Sequence, residues 1–428
     1  MALPRLIVTG ASGFIGRHLL DAFKEEFRIV GLARRSQLHC GAPVHNNITW
    51  YQVDIGDKNS LAAAFRYIRE SGGADYVIHL AAHYDFTGDD HPEYWRTNVE
   101  GMRNVLDECR SLDLERFIFS SSLAACAFPK HGDVLTEKNP PDGDHIYAVT
   151  KRIGEEMLAE YDGSVPSCIM RLAALFSDWC EYPPLYIFLE TWLSDVWNNR
   201  VIGGRGTTAI PYMHVREMGP FIRRIISLGD DLEQREILIA SPSETLSHKA
   251  LFDLAHIDYF GQRAKPIFMP RFFARIGVWG MDLLGRMLGN RPFERPWMIS
   301  YLDTDLAVDP THSYERLGWR PRKRLLLQRR MPFMVEYRRT NPNEWHRVNR
   351  AALKEVHLRA NLRINRLLEK YLDTICNAYL DQMLSPGAAA RFPSYQNGAR
   401  AVLEWRFVIL LRHLLSSRRT RDRGRCTT

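Results

Sequence analysis

Short apolar runs alternate with stretches of helical period from residue 5 to about residue 175. The runs at 6–9, 28–32, 48–53, 76–80, 117–120 and 168–172 read as strands, and the segments between them as helices. Repeated strand-helix units of this kind predict an α/β class with a doubly wound parallel sheet, whose ligands sit beyond the carboxyl ends of the strands. Past Arg339 the alternation gives way to a different pattern. Trp345, Val348, Ala352, Val356, Ile364, Leu368, Tyr371, Ile375, Tyr379 and Met383 recur at roughly helical spacing, and Pro386-Gly387 ends the run. A second helix is predicted over 399–415, around Phe407-Val408-Ile409-Leu410-Leu411. Both are too short in apolar content, or too charged, to span a bilayer, which takes ~20 apolar residues.

The first strand runs into Thr9-Gly10-Ala11-Ser12-Gly13-Phe14-Ile15-Gly16 and then into a helical segment. Gly10 allows the turn off the strand, Gly13 lets backbone approach a pyrophosphate, and Gly16 lets helix and strand pack closely, with phosphates resting on the helix N-terminus. Strand and helix on either side favour a dinucleotide site of Rossmann type over an ordinary Gly-rich turn. After the second strand, Ala33-Arg34-Arg35-Ser36 carries no acidic group for ribose hydroxyls, and Arg34 and Arg35 favour the 2′-phosphate of NADP over NAD. A solvated Arg pair is the competing reading. Asp54, followed by Ile55 after the third strand, is placed to accept from an adenine amino group, or else simply to form a turn.

Composition adds a boundary. The chain has 428 residues, 45% of them apolar, enough for a large core and two or three structural units. Its net charge of +7 is unevenly distributed: residues 1–319 hold 33 Lys+Arg against 42 Asp+Glu, whereas residues 320–428 hold 24 against 8. A basic C-terminal unit with an anionic partner is implied. Seven scattered cysteines without metal-type spacing suggest a reducing cytoplasmic setting and no metal site, and no secretion signal is expected at the N-terminus.

The motifs together resemble the extended short-chain dehydrogenases/reductases, the NAD-dependent epimerase/dehydratase family. The glycine loop is followed by His79-Leu80-Ala81-Ala82, by Asn98-Val99-x-Gly101, by Ser120-Ser121-Ser122 and by Tyr147-x-x-x-Lys151, in that family's order. Leu317-Gly318-Trp319-x-Pro321 resembles the close of its small substrate domain. The resemblance implies a Rossmann core with a substrate lobe from about 175, together covering 1–325, and leaves 340–428 as an all-α basic extension. It implies cofactor contacts at Gly10, Ser12, Gly13, Phe14, Ile15, Gly16, Arg34, Arg35, Asp54, Ile55, Leu80, Ala81, Ala82, Asn98, Ser120, Tyr147 and Lys151. Asn98 is read with equal weight as a helix-start residue, and His79 as a structural histidine of the strand end.

Tyr147 and Lys151 lie four apart on a predicted helix at 146–160, so both project from one face. An ammonium beside a phenol lowers its pKa toward useful acid/base chemistry. By resemblance, Tyr147 is the general acid/base, Lys151 holds the cofactor ribose and tunes Tyr147, and Ser122 positions the substrate oxygen.

Departures bear on the substrate. Nucleotide-sugar enzymes of the family usually carry an Asn after the sixth strand, where this chain has Arg171-Leu172-Ala173-Ala174, and an Arg before the segment seen here as Tyr212-Met213-His214-Val215, where it has Ile210-Pro211. A diphosphate without such donors is poorly held. The apolar stretch at 264–293 is similar to that of the 3β-hydroxysteroid dehydrogenase/dihydroflavonol reductase branch, or is a plain helix capping the lobe. The expected activity is hydride transfer between NADP and a hydrophobic ketone or secondary alcohol. Nucleotide-sugar epimerase/dehydratase activity is the alternative, and a non-catalytic NADP-binding sensor or assembly protein a third reading. Tyr84, Asp85, Phe86 and Trp179, with His83 and Tyr182, are pocket candidates. The basic helices fit an appendage on the body, a homo-oligomer interface or a peripheral membrane contact; nucleic acid is disfavoured for want of a binding motif.

Overall fold

The computed structural model of the protein describes residues 3–289 and 291–353. The helical positions expected from Val356 onward, and the helix expected at 399–415, lie outside the described residues. The elements that matter below, in chain order, are β1 (Arg5–Thr9), α1 (Phe14–Phe23), β2 (Arg28–Ala33), β3 (Ile48–Gln52), α2 (Lys58–Glu70), β4 (Tyr76–His79), α3 (Gly101–Cys109), β5 (Arg116–Ser122), α4 (Ile146–Ala159), β6 (Ser167–Leu172), α5 (Pro183–Trp192), α6 (Met218–Leu228), β7 (Arg235–Ala240), α7 (His248–Phe260), α8 (Arg271–Met287), α9 (Thr311–Leu317), α10 (Leu327–Thr340) and α11 (Pro342–Leu353).

Seven parallel strands form one sheet in the order β7-β6-β5-β4-β1-β2-β3. The doubly wound α/β fold expected from the alternating pattern is therefore present, and its strand order reverses between β1 and β4. A crevice opens at such a reversal beyond the carboxyl ends. The six expected strands appear within two residues of their expected ends, and β7 is added at the edge. Its apolar run, Ile237-Leu238-Ile239-Ala240, lies far beyond residue 175, where the alternation had broken down, and the chain returns to the sheet only there.

Each face of the sheet is covered because each helix offers an apolar stripe. Leu19, Leu20 and Phe23 of α1 join Phe221, Ile222 and Ile225 of α6 on one face. Leu61 and Phe65 of α2, Val105 and Leu106 of α3, and Met157 and Leu158 of α4 cover the other. A third core lies apart from both and gathers α5, α7, α10 and α11 through Leu185, Leu189, Leu251, Phe252, Met331, Met334 and Trp345. The helical part of the C-terminal region thus begins at Leu327, and its described portion is built into the protein. Trp345 is 0% exposed, and its indole N–H donates to Glu190 Oε1 of α5 at 3.1 Å. Arg338 of α10 donates to the same oxygen at 2.8 Å.

Trp345→Ala removes a fully buried aromatic and one of the two hydrogen bonds to Glu190 Oε1. The expected loss is about 3–5 kcal/mol of stability, read as a lower urea midpoint; an unmoved midpoint would mean that α11 contributes nothing to the folded body.

Candidate active site

The glycine loop is shaped as a cradle that side chains would fill. Gly10 has φ +70°, and a Cβ there would lie 2.6 Å from the amide nitrogen of Ala81, the residue two beyond β4. A Cβ on Gly16 would meet the Gly10 carbonyl oxygen at 2.6 Å. Gly13 caps α1 with extended backbone and no side-chain bond, so the first N–H groups of α1 face the crevice free of a side-chain cap. This arrangement fits the pyrophosphate of a dinucleotide. Phe14 and Ile15 begin α1, and Phe14 packs edge-on to His18.

Beside the loop, Arg35 donates to the Ser12 hydroxyl at 3.3 Å and to the Ser12 carbonyl. Arg34, half exposed, pairs with Glu93 at 3.3 Å. Asp54 accepts from Gly56 N–H at 2.9 Å and from Arg96 at 2.8 Å. Burial pushes the Asp54 carboxyl up, but these bonds prevail and hold it below its usual range. Bonding to Arg96 likewise holds Glu93 down, at about 2. Ile55 is buried, and its carbonyl accepts from Asn104.

Leu80 and Ala81, followed by Ala82, run past Gly10 on the other side of the loop. Leu80 N–H donates to the Thr9 carbonyl and Ala81 N–H to the Thr9 hydroxyl, which also bonds His79 Nδ1 at 3.0 Å. His79 is buried against Phe117 and Phe119; burial, then the Lys151 charge, pulls its pKa down to about 3, so it stays neutral. Asn98 is fully engaged with protein: its Oδ1 accepts from His83 N–H at 2.6 Å, and its Nδ2 donates to the His83 carbonyl and to Thr150 Oγ1, both at 3.0 Å. Thr150 lies on α4 between Tyr147 and Lys151, so Asn98 ties the loop after β4 to that helix.

Tyr147 and Lys151 do share one face of α4, at the carboxyl end of β5. Lys151 Nζ donates to the Ser120 carbonyl at 2.6 Å and lies 5.8 Å from the centre of the Tyr147 ring. Ser120 Oγ in turn donates to the His79 carbonyl. Burial pushes the Tyr147 hydroxyl up to about 12, opposed by a hydrogen bond with Ser122. Burial also pulls Lys151 down to about 8, opposed by the negative charge of Glu155.

Glu155, one helical turn beyond Lys151, escaped the reading of the sequence although its i, i+4 spacing from Lys151 puts it on the same face. It is buried in a bidentate pair with Arg171 of β6, at 3.1 and 2.8 Å, and accepts from Ser121 Oγ. Arg171 also donates to the Asn139 carbonyl at 2.7 Å. The guanidinium at the end of the sixth strand is therefore directed under α4.

Aromatic rings form a wall beside Tyr147. Tyr84 lies against the Tyr147 ring with centroids 4.0 Å apart, Phe86 against Tyr84 at 4.5 Å, and Phe293 against Phe86 at 5.4 Å. Tyr182 meets Phe86 edge-on, and Tyr212 meets Tyr182. Tyr212 and Phe293 were not among the sequence candidates, because nothing local marks them as neighbours of Tyr147. Asp85 accepts from Thr87 and bonds His83 Nε2 at 3.2 Å, which keeps its carboxylate on its own loop. Trp179 stacks on Tyr337 of α10, at 4.4 Å and 18° between planes.

Comparison with known proteins gives the same frame. The family model described as "NAD dependent epimerase/dehydratase family" matches residues 6–240. A 3beta-hydroxysteroid-dehydrogenase/decarboxylase isoform 2 of Arabidopsis thaliana is 23% identical over 74% of this chain and 59% of its own length. A 3 beta-hydroxysteroid dehydrogenase/Delta 5-->4-isomerase of vaccinia virus is 29% identical over 43% of this chain and 52% of its own. An Escherichia coli O157:H7 N-acetyl-alpha-D-glucosaminyl-diphospho-ditrans,octacis-undecaprenol 4-epimerase is 30% identical over 40% and 49%. The chain thus spans about half the length of the curated relatives it matches. Among solved structures, UDP-glucose 4-epimerase of Thermotoga maritima with UDP-glucose superposes with a TM-score of 0.62 at 20% identity, over 79% of this chain and 100% of that one. The UDP-glucose 4-epimerase of Thermus thermophilus with NAD gives 0.58 at 20%, over 79% and 99%. At this identity the likeness establishes the fold.

Glu155→Gln leaves Arg171 as a buried charge without its counter-ion. The expected cost is about 3–5 kcal/mol in denaturant unfolding. Glu155→Leu combined with Arg171→Met, which removes both charges, is expected to recover most of it; equal loss in the single and double variants would contradict the pairing.

Proposed function

The chain belongs to the NAD-dependent epimerase/dehydratase family, and from that premise we propose that it is an NADP-dependent oxidoreductase acting on a hydrophobic ketone or secondary alcohol. The observation that carries this reading is the position of Tyr147, which has Ser122, Lys151 and the first ring of an aromatic wall as its neighbours. The dinucleotide supplies the hydride, or accepts it in the reverse direction. Ser122 orients the substrate oxygen toward the Tyr147 hydroxyl. In reduction Tyr147 gives its proton to that oxygen as the carbonyl carbon gains the hydride, and in oxidation it takes the proton back. Lys151, protonated below about pH 8, stabilises negative charge on the Tyr147 oxygen and holds the cofactor ribose. Gly10, Ser12, Gly13, Phe14, Ile15 and Gly16 cradle the pyrophosphate, with Leu80, Ala81, Ala82 and Ile55 as the walls of the crevice.

NADP rather than NAD is read from Arg34 and Arg35. Both guanidiniums stand at the end of β2, and Arg35 is already aimed at Ser12 of the pyrophosphate loop. Asp54 is an adenine acceptor only by sharing its carboxylate with Arg96. Asn98 acts through α4, by fixing Thr150, in place of touching the cofactor.

An apolar substrate suits the wall of Tyr84, Phe86, Tyr182, Tyr212 and Phe293, and the names of the plant and viral relatives lean the same way. The alternative, nucleotide-sugar epimerisation, is favoured by the superposed structures, which are named as epimerases. Arg171 opposes it, because this cation at the sixth strand is committed to Glu155 and offers nothing to a diphosphate. A binder without turnover would have no use for Ser122, Tyr147 and Lys151 on one crevice.

Substrate-dependent NADPH oxidation across a panel of apolar carbonyls is the test. Tyr147→Phe should lower kcat by about 10²–10⁴ while NADPH binding, followed by fluorescence, persists. Turnover of a UDP- or GDP-sugar without net cofactor consumption would overturn the reading. Arg34→Ala and Arg35→Ala should each weaken NADPH relative to NADH by roughly 10–100-fold, measured as a ratio of Kd values; an unchanged ratio would remove the NADP assignment.

A further inference from the structure

Helix α8 exposes what a soluble protein ordinarily buries. Phe272, Phe273, Ile276, Trp279, Leu283 and Met287 are all at least half exposed, with Trp279 at 56% and Met287 at 78%. At about 100° per residue they fall within an arc of roughly 120°, along a helix ~26 Å long. At about 200 Å² for a large side chain the exposed stripe is on the order of 700 Å², more than the ~300–600 Å² of the largest apolar patch on an ordinary monomer. Ala274 and Gly285 are buried on the opposite face. At the side of the helix the buried Asp282 accepts from Arg286 at 2.9 Å and ties α8 to the segment that follows it through Arg291 at 2.8 Å and Arg295 at 3.1 Å.

Charge identifies what covers the stripe. The segment from Gly261 to Met281 contains no Asp or Glu, but it carries Arg263, Lys265, Arg271 and Arg275. Arg275 lies along one margin of the stripe, since it projects beside Trp279 on the helical wheel; Arg286 on the same side is paired with Asp282. A cationic rim around Trp, Phe and Leu matches the boundary between lipid headgroups and acyl chains. Residues 354–428 hold 14 Lys+Arg against 6 Asp+Glu, so that part of this chain would bring like charge to the rim. A second copy packed face to face would do the same.

We propose that the exposed face of α8 is a docking surface for an anionic lipid bilayer, into which Phe272, Ile276, Trp279 and Leu283 insert while Arg263, Arg271 and Arg275 meet the headgroups. The helix lies in the interface and does not cross it: among the described residues no helix is long and apolar enough to span a membrane. Its C-terminal end leads within six residues to Phe293, which contacts Phe86 of the aromatic wall. Docking would bring the segment that carries Phe293 close to the lipid surface. The docking inference stands apart from the reaction proposed above, because it is read without turnover.

The test is flotation of the full chain with vesicles of phosphatidylcholine alone or with phosphatidylglycerol, alongside its mass in solution. Binding to the mixed vesicles is expected, weakening with salt. Ile276→Ser/Trp279→Ser/Leu283→Ser should lower partitioning by about tenfold or more. Arg263→Glu/Arg275→Glu, which leaves every apolar side chain in place, should lower binding to the mixed vesicles and spare any binding to phosphatidylcholine. The proposal is overturned if the wild type ignores vesicles or if both variants bind as the wild type does. It is equally overturned if the wild type is a dimer that the triple serine variant dissociates, which would make the stripe an interface between copies.

Discussion

The buried ion pair between Glu155 and Arg171 is the constraint on which the rest of the site depends. Removing two charges from water costs several kcal/mol per ion, recovered only when the geometry is good and the remaining polar atoms are bonded. Here both carboxylate oxygens accept from Arg171, Ser121 bonds the carboxylate as well, and the guanidinium has a further carbonyl acceptor at Asn139. These bonds join α4 to β5 and β6 at one rotational setting of the helix. Turning α4 enough to move Tyr147 away from Ser122 would break several of them together. Lys151, one turn along the same face, lies near the rings of Phe119 and Tyr147 and donates to the Ser120 carbonyl. Its cation is tolerated in so apolar a place partly because Glu155 lies beneath it.

A second set of contacts reaches the site from the far end of the chain. Cys180 and Glu181 both have positive φ, at 74° and 53°, a conformation costing an L-residue roughly 1–2 kcal/mol. The loop holds this shape because it is gripped from two sides. Arg17 and His18 of α1 approach the Glu181 carboxylate, and Asn349 of α11 accepts from the Glu181 N–H while donating to the Trp179 carbonyl. Arg330 of α10 reaches Asp178 at 2.7 Å, beside His214. Tyr182, which follows directly, is thereby set against Phe86. Helix α1, which follows the glycine loop, and the C-terminal helices therefore converge on one loop, the one that leads into Tyr182.

What was readable from the sequence was local. Gly10 and Gly16 are dictated by backbone contacts within the first strand-turn-helix unit and with the adjoining β4 segment, and the Tyr147–Lys151 pair by one turn of helix; both stand out without any knowledge of partners. β7 was missed because its edge position follows a long excursion that hides the alternation. Arg171 was noticed only as the residue before a missing Asn, since its true partner is determined by how α4 crosses β6. Trp179 looked like a pocket residue because it follows a strand end, but its stacking on Tyr337 joins residues more than 150 positions apart. Exposure of the α8 stripe was equally hidden: the amphipathic pattern at 264–293 is the same whether the apolar face turns in or out.

Those non-local features bear jointly on the substrate. A phosphate-bearing ligand needs cations that can turn toward it, and the cation nearest the sixth strand is already neutralised beneath α4. The surfaces that do face Tyr147 are rings, linked in contact from Tyr84 through Phe86 to Phe293. Burying an apolar ligand against them yields roughly 25 cal/mol per Å² without desolvating a charge, whereas a diphosphate set in the same wall would lose its hydration for few compensating bonds. Phe293 follows the C-terminal end of α8 by six residues, so the segment after that helix contributes one ring to the wall. On the reading proposed above, the ligand is apolar, with specificity arising from the shape of the aromatic wall and its polar contact made at Ser122 and Tyr147.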